Sequence, residues 1–276
     1  MTEEFIRNRI TELRLRKGVS EYQMSYDLGH SRGYVYNISS GKALPPMKEF
    51  LAICDYFGIT PQQFFNGEES HPELIQKALS EIVKVTYNCL SVDGDQSTND
   101  TLTVMANGLA GNKLIDTENE AYEKFKKALY IVMECMTMML ASDGEGATKM
   151  IECTVAGAPD LDTAIIVAKS VIRSPLTKCA MFGEDANWGR ILCAIGYAEA
   201  DFDIDKVAVD LESEFGVVPV CRNGAGVPFS EEKAAKVLSS DEIHINIDLG
   251  IGDVTAKAWG CDLTYDYVKI NGDYRS

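Results

Sequence analysis

Histidine is scarce in this 276-residue chain, which holds only His30, His71 and His244, and none of its eight cysteines stands in a Cys-x-x-Cys pair. Those spacings exclude a zinc site built from paired ligands, so the expectation is no metal and no cofactor. The cysteines are scattered through apolar stretches and read as buried free thiols of a reducing compartment. Long apolar runs are also missing. None approaches the ~20 residues of a membrane span, and Met1 to Ile10 carries alternating charges in place of the apolar core of a signal peptide. These absences give the expectation of a cytoplasmic protein with no membrane contact.

Basic residues are outnumbered, 26 Lys and Arg against 42 Asp and Glu, for a formal charge of -16. The imbalance is local. Residues 1–70 hold 8 basic and 9 acidic side chains, and the remaining residues hold 18 and 33. An acidic surface repels phosphate, so nucleic-acid binding must come from a basic face within the first part. Around Ser70 the chain changes type, which suggests a short junction over residues 66–70 between an N-terminal domain of residues 1–68 and a C-terminal domain of residues 71–276.

In the first part, Ile6, Ile10 and Leu13 fall at helical spacing until Gly18 ends the helix, and Ser20 caps a second one. From Glu21 to Ser40 the residues meet the steric demands of a helix-turn-helix. Ser25 is small where two helices cross, Gly29 supplies the turn, and Met24, Leu28, Val35 and Ile38 point inward. His30 sits where an apolar residue is more usual. A third helix from Ser31 would expose Arg32, Gly33, Tyr36 and Asn37 together, a face able to hydrogen-bond base edges, with Lys42 placed to reach phosphate. Phe50, Ile53, Cys54 and Phe57 mark a fourth helix, and Thr60 with Pro61 starts a short fifth ending at Phe65. This order resembles the Cro and lambda-repressor family of helix-turn-helix domains from about Ile6 to Phe65. The resemblance implies that Arg32, Tyr36 and Asn37 are candidates for operator contact, with Lys42 beside them as the phosphate contact read from its position. A protein-docking or dimerisation module is the alternative.

In the second part, Ser70-His71-Pro72-Glu73 reads as a capping box opening a helix with Leu74, Ile75, Ala78, Leu79 and Ile82 on one stripe. The polar run Val92 to Thr101 lacks the ligand spacing and terminal glutamate of a calcium loop. Leu102 to Met105 reads as a buried strand. Tyr122, Phe125, Leu129, Val132, Met136 and Met139 mark a long amphipathic helix whose methionines read as core packing. Asp143 to Lys149 sets Glu145 between two glycines, where the backbone can approach a ligand and the carboxylate can pair with an ammonium group. A second polar, glycine-containing loop runs from Phe182 to Arg190. Ile243, Ile245, Ile247 and Leu249 alternate with polar residues, then Gly250 to Asp253 turns into Val254 to Trp259, which reads as a β-hairpin with one wet face. On that face His244 reads as a solvated strand residue. The tail from Trp259 to Ser276 stays aromatic-rich to its end, which suggests docking at a site.

The Asp93, Glu145 and Asn187 loops and this tail closely resemble the β-chain of the bifunctional ornithine acetyltransferase / glutamate N-acetyltransferase family of arginine biosynthesis, from about Glu73 to Ser276. Together the two resemblances imply an all-α helix-turn-helix domain followed by an α/β (α+β) domain resembling part of the acetyltransferase αββα fold. The second also implies a precursor cleaved before a threonine nucleophile, which carries acetyl from N-acetylornithine to glutamate through an acyl-enzyme. The matching β-chain positions are Glu145, contacting the substrate amine, with Asn271 and Ser276 in the docked tail. The Ala-Thr-Met-Leu type cleavage site, the nucleophile and the α-chain residues of the oxyanion hole are not found in the sequence. Thr98, Thr101 and Thr148 lie inside the chain and cannot replace the nucleophile.

Three readings follow. The chain is an acetyltransferase part that is inactive alone and needs a separate α-part. Alternatively it is a DNA-binding regulator with a domain for an arginine-pathway metabolite such as N-acetylornithine, ornithine or glutamate, or a joining of two unrelated fragments. Operator DNA, a separate α-part and a homo-oligomer are the candidate partners.

Overall fold

A computed structural model describes residues 2–66, 72–106 and 112–274. Ser70, His71 and Ser276 lie outside these residues, as does most of the junction. The chain forms two compact units, one of residues 1–74 and 105–118 and a second of residues 75–104 and 119–276.

The first unit holds α1 (Glu3–Lys17), α2 (Glu21–Asp27), α3 (Tyr34–Ser39), α4 (Met47–Phe57) and α5 (Pro61–Asn66). Thr2 and Ser20 cap α1 and α2 through their hydroxyls, and Gly18 ends α1 at φ 72, a left-handed conformation that suits glycine. Ile10, Leu13, Met24, Val35, Ile38, Phe50, Ile53, Cys54 and Phe64 form its core. Ser25 is small at the α2/α3 crossing and also bonds there, donating to the Glu21 carbonyl at 2.7 Å and accepting from the Val35 N–H at 3.0 Å. His30 does not fill an apolar niche. Its ring stacks on Tyr34 at 3.8 Å and reaches Glu49 of α4 at 2.7 Å. The third helix begins at Tyr34 rather than Ser31, because residues 31–33 form the turn itself, closed by Tyr34 N–H to the Ser31 carbonyl at 3.0 Å.

The second unit follows α6 (Pro72–Ile82) with β1 (Leu90–Ser91), α7 (Glu120–Ser142), β2 (Met150–Ala158), α8 (Leu161–Arg173), α9 (Pro175–Phe182) and α10 (Trp188–Gly196). Next come β3 (Ala208–Ser213), β4 (Gly216–Arg222), β5 (Ala225–Gly226), α11 (Glu231–Leu238), β6 (Glu242–Asp248), β7 (Val254–Cys261) and α12 (Tyr265–Asp273). The strands of the described residues make one mixed sheet in the order β1-β7-β2-β6-β3-β4-β5. Ile151, Cys153 and Val155 of β2 are buried toward α8, where Gly260 leaves room for the Ile172 side chain. Each fully buried Val or Ile on this face contributes about 1.5–3 kcal/mol of burial. The opposite face carries Met150 and Glu152, with α7 lying over its β7/β2 end.

Four further expectations are corrected by the sheet, the α7 face and the cysteines. Ile243–Leu249 and Val254–Trp259 alternate as strands, yet they do not form a hairpin. β2 lies between them, parallel to β6 and antiparallel to β7. The connection is long enough to wrap over the end of β2, where Leu249 N–H and Ile251 N–H donate to the Ala156 and Gly157 carbonyls at 3.0 Å each. Leu102–Met105 enters no strand and Met105 is 89% exposed, because an apolar run becomes a strand only where a sheet edge receives it. On α7 the buried side chains are Tyr122, Met133, Thr137 and Ala141, while Val132, Met136 and Met139 are exposed at 53%, 46% and 65%. The sheet meets a different face of that helix from the one the methionine spacing suggests. Cys135, Cys179 and Cys193 are exposed as well, and only the other five thiols are buried.

Candidate functional site

Glu145 lies in the turn between α7 and β2, and the chain brings the far tail to it. Asp262, just past β7, accepts from the Thr148 and Lys149 N–H groups at 2.8 and 3.1 Å, which pins the turn to the end of the sheet. Thr264 then donates its hydroxyl to the Gly146 carbonyl at 2.6 Å and caps α12 by accepting from the Tyr267 N–H at 3.2 Å. Gly146 has φ 66, and a Cβ there would stand 2.6 Å from the Tyr267 nitrogen. Only glycine allows this backbone approach.

With α12 so placed, Asn271 donates to Glu145 Oε2 at 2.7 Å and to the Tyr267 carbonyl at 3.0 Å. The Tyr267 hydroxyl donates to Asp93 Oδ2 at 3.0 Å. The Asp93 loop, the Glu145 turn and the tail helix therefore meet at one place. Burial, the Asp93 bond and the charges of Asp93, Asp95 and Glu145 raise the Tyr267 pKa above its ordinary value. The carboxylates of Asp93, Asp95 and Glu145 gathered around Tyr267 favour a cation, and an exposed carboxylate such as Glu145 keeps acceptor capacity for an ammonium beside its bond to Asn271.

Two buried lysines support this corner. Lys149 donates to the Leu238 and Ser240 carbonyls at 2.8 and 3.2 Å and pairs with Glu184 at 3.4 Å. Lys178 donates to the Cys261 carbonyl, and its burial lowers its pKa. Neither signals itself in the sequence, since a lone lysine in a helix or at a strand start reads as surface. Asn187 is a helix cap rather than part of this cluster, accepting from the Arg190 N–H at 3.2 Å. His244 is only half-solvated. It pairs with Glu152 at 3.4 Å and Glu242 at 3.3 Å, and the Glu152 bond raises its pKa. Glu152 also binds Lys257 at 3.0 Å and accepts from the Trp259 indole at 2.8 Å.

In the first unit Arg32, Tyr36, Asn37 and Lys42 are all exposed. Arg32 precedes α3 and lies over the Tyr22 ring at 5.5 Å, while Lys42 lies over Tyr36 at 5.1 Å. The sequence reading missed Tyr22, because it belongs to α2 and joins this face only when α2 packs against α3.

Among the described residues no group of His, Cys, Asp and Glu could hold a metal ion, and no helix is long and apolar enough to cross a membrane.

The ArgJ family matches residues 66–276, and a Cro/C1-type HTH DNA-binding domain matches residues 9–69. The arginine biosynthesis bifunctional protein ArgJ 1 of Clostridium acetobutylicum is 53% identical over 204 residues, covering 74% of this chain and 50% of that protein. ArgJ of Caldanaerobacter subterraneus subsp. tengcongensis is 52% identical, covering 73% and 50%. The crystal structure of the arginine biosynthesis bifunctional protein ArgJ from Bacillus halodurans superposes with a TM-score of 0.69 at 44% identity, over 73% of this chain and 93% of that one. The chain thus spans about half the length of the curated relatives it matches.

Proposed function

The chain belongs to the ArgJ family through residues 66–276, and on that premise we propose that its α/β unit is the substrate-holding part of an acetyl-transfer site in arginine biosynthesis. N-acetylornithine is the donor and glutamate the acceptor. Glu145 pairs with the substrate ammonium, Asn271 orients that carboxylate, and Ser276 adds a hydroxyl at the end of the tail. The nucleophilic hydroxyl comes from a separate polypeptide corresponding to the first half of the relatives. It attacks the acetyl carbonyl and expels ornithine, whose leaving amine takes up a proton. The glutamate amine then attacks the ester and returns the hydroxyl. The bond from Asn271 to Glu145 carries the reading, because it joins the two family positions across 126 residues.

Acetyl transfer from N-acetylornithine to glutamate is measured for the full chain alone and after co-expression with the first half of the C. acetobutylicum relative. Activity is expected only for the pair, and Glu145→Gln should lower it. Activity of the chain alone, or inactivity of a complex that forms, overturns the proposal.

A second reading, a transcriptional regulator, is supported by the exposed Arg32/Tyr22 and Lys42/Tyr36 pairs. It requires salt-sensitive binding to operator DNA that Arg32→Ala weakens and N-acetylornithine modulates. Absence of DNA binding at low salt removes it.

A further inference from the structure

A cleft of about 420 Å³ opens between α8 and the segment that follows α10, lined by Ile165, Ile166, Lys169, Arg173, Tyr197 and Glu199. None of these residues belongs to the Glu145 cluster. Residues 165, 169 and 173 are successive i,i+4 neighbours with 166 beside them, so the four side chains from α8 share one face of that helix. Ser170, also in the wall, donates to the Ala194 carbonyl at 2.6 Å and ties α8 to α10.

The charges of the cleft are left open. Lys169 is half-buried, and among the described residues its ammonium makes no hydrogen bond or ion pair. Glu199 is unpaired in the same sense, so the two line one cleft without closing on each other. Arg173 donates to the Gly94 carbonyl at 3.0 Å, which anchors the guanidinium and leaves its other donors free. Two cations at i,i+4 repel unless an anion joins them, and they stand on a region with 18 basic and 33 acidic side chains, where cations are usually neutralised. We propose that the cleft binds a free α-amino acid with an aliphatic side chain. Its carboxylate bridges Lys169 and Arg173, its ammonium pairs with Glu199, and its side chain lies along Ile165 and Ile166. A simple anion such as phosphate would face the Glu199 carboxylate, and a basic side chain would add a third cation beside Lys169 and Arg173. The inference stands independently of the acetyl-transfer reading, because it concerns neither the donor nor the acceptor of that reaction.

Isothermal titration of the full chain with L-leucine tests it, beside isocaproate, which lacks the ammonium, isopentylamine, which lacks the carboxylate, and inorganic phosphate. Leucine should bind in the millimolar range or tighter, and each of the other three should bind at least about 10-fold more weakly. Lys169→Met, which keeps the aliphatic stem, should weaken leucine by about 10-fold, and Glu199→Gln should erase most of its advantage over isocaproate. Glu199 is exposed, so that variant keeps its fold. Absence of leucine binding up to about 10 mM overturns the proposal. So does leucine binding that either variant leaves unchanged, or phosphate binding as tight as that of leucine.

Discussion

Trp259 of β7 donates its indole N–H to the Glu152 carboxylate of β2 at 2.8 Å, inside the sheet and away from any loop. Burial alone would raise the Glu152 pKa, but the bonds from His244, Lys257 and Trp259 outweigh it and hold the carboxylate at about 2.

That balance sets a pH dependence of stability. A carboxylate depressed from its ordinary value contributes stability that is fully present above pH 4.5 and is lost as pH falls toward 2, by about 2–3 kcal/mol. His244 acts in the opposite sense. Its pKa is raised above 6.5, so its contribution is full below that pH and fades as pH rises through the folded value. Chemical denaturation from pH 3 to 9 should show both slopes, and Glu152→Gln should flatten them.

Replacing Asn271 by Ala leaves Glu145 without its orienting donor. If the acetyl-transfer reading holds, KM for N-acetylornithine in the reconstituted enzyme should rise by about 5–10-fold, the equivalent of one hydrogen bond of about 1 kcal/mol. Circular dichroism should be unchanged, because both side chains are exposed.

Gly146→Ala should release the tail helix. The added Cβ would meet the Tyr267 nitrogen at 2.6 Å, in a backbone conformation that L-residues rarely adopt. A cost of about 2–3 kcal/mol is expected. Hydrogen exchange should show faster exchange across residues 265–273 and little change in β2.

In the first unit, Ser25→Ala removes the acceptor of the buried Val35 N–H and should cost about 1–3 kcal/mol. Ser25→Val adds volume at the helix crossing and should cost more. Thermal melting of the full chain, followed at the transition of the helical unit, distinguishes the two.

Much of the architecture was legible in one sequence. The five short helices came from caps and apolar spacing, and the meeting of the Glu145 turn with Asn271 followed from resemblance to a family. The polar network around Glu152 was not legible. Its members come from β2, β6 and β7, and each alone looks like an ordinary polar strand residue. Alternation identified β6 and β7 correctly but not their partners, since a five-residue connection can close a hairpin or cross over an intervening strand. The family resemblance holds through the ArgJ match over residues 66–276.

The sequence by itself determined the Gly18 stop of α1 and the Ser20 cap of α2, which residues are apolar, and which glycines open the turns, because these depend on interactions within a few residues. Tertiary structure alone decided which face of α7 is covered, which strand lies beside β7, and which donors surround Glu152. Each of those outcomes depends on segments distant in the chain, and a helix apolar on both sides carries no local mark of which side the sheet will take.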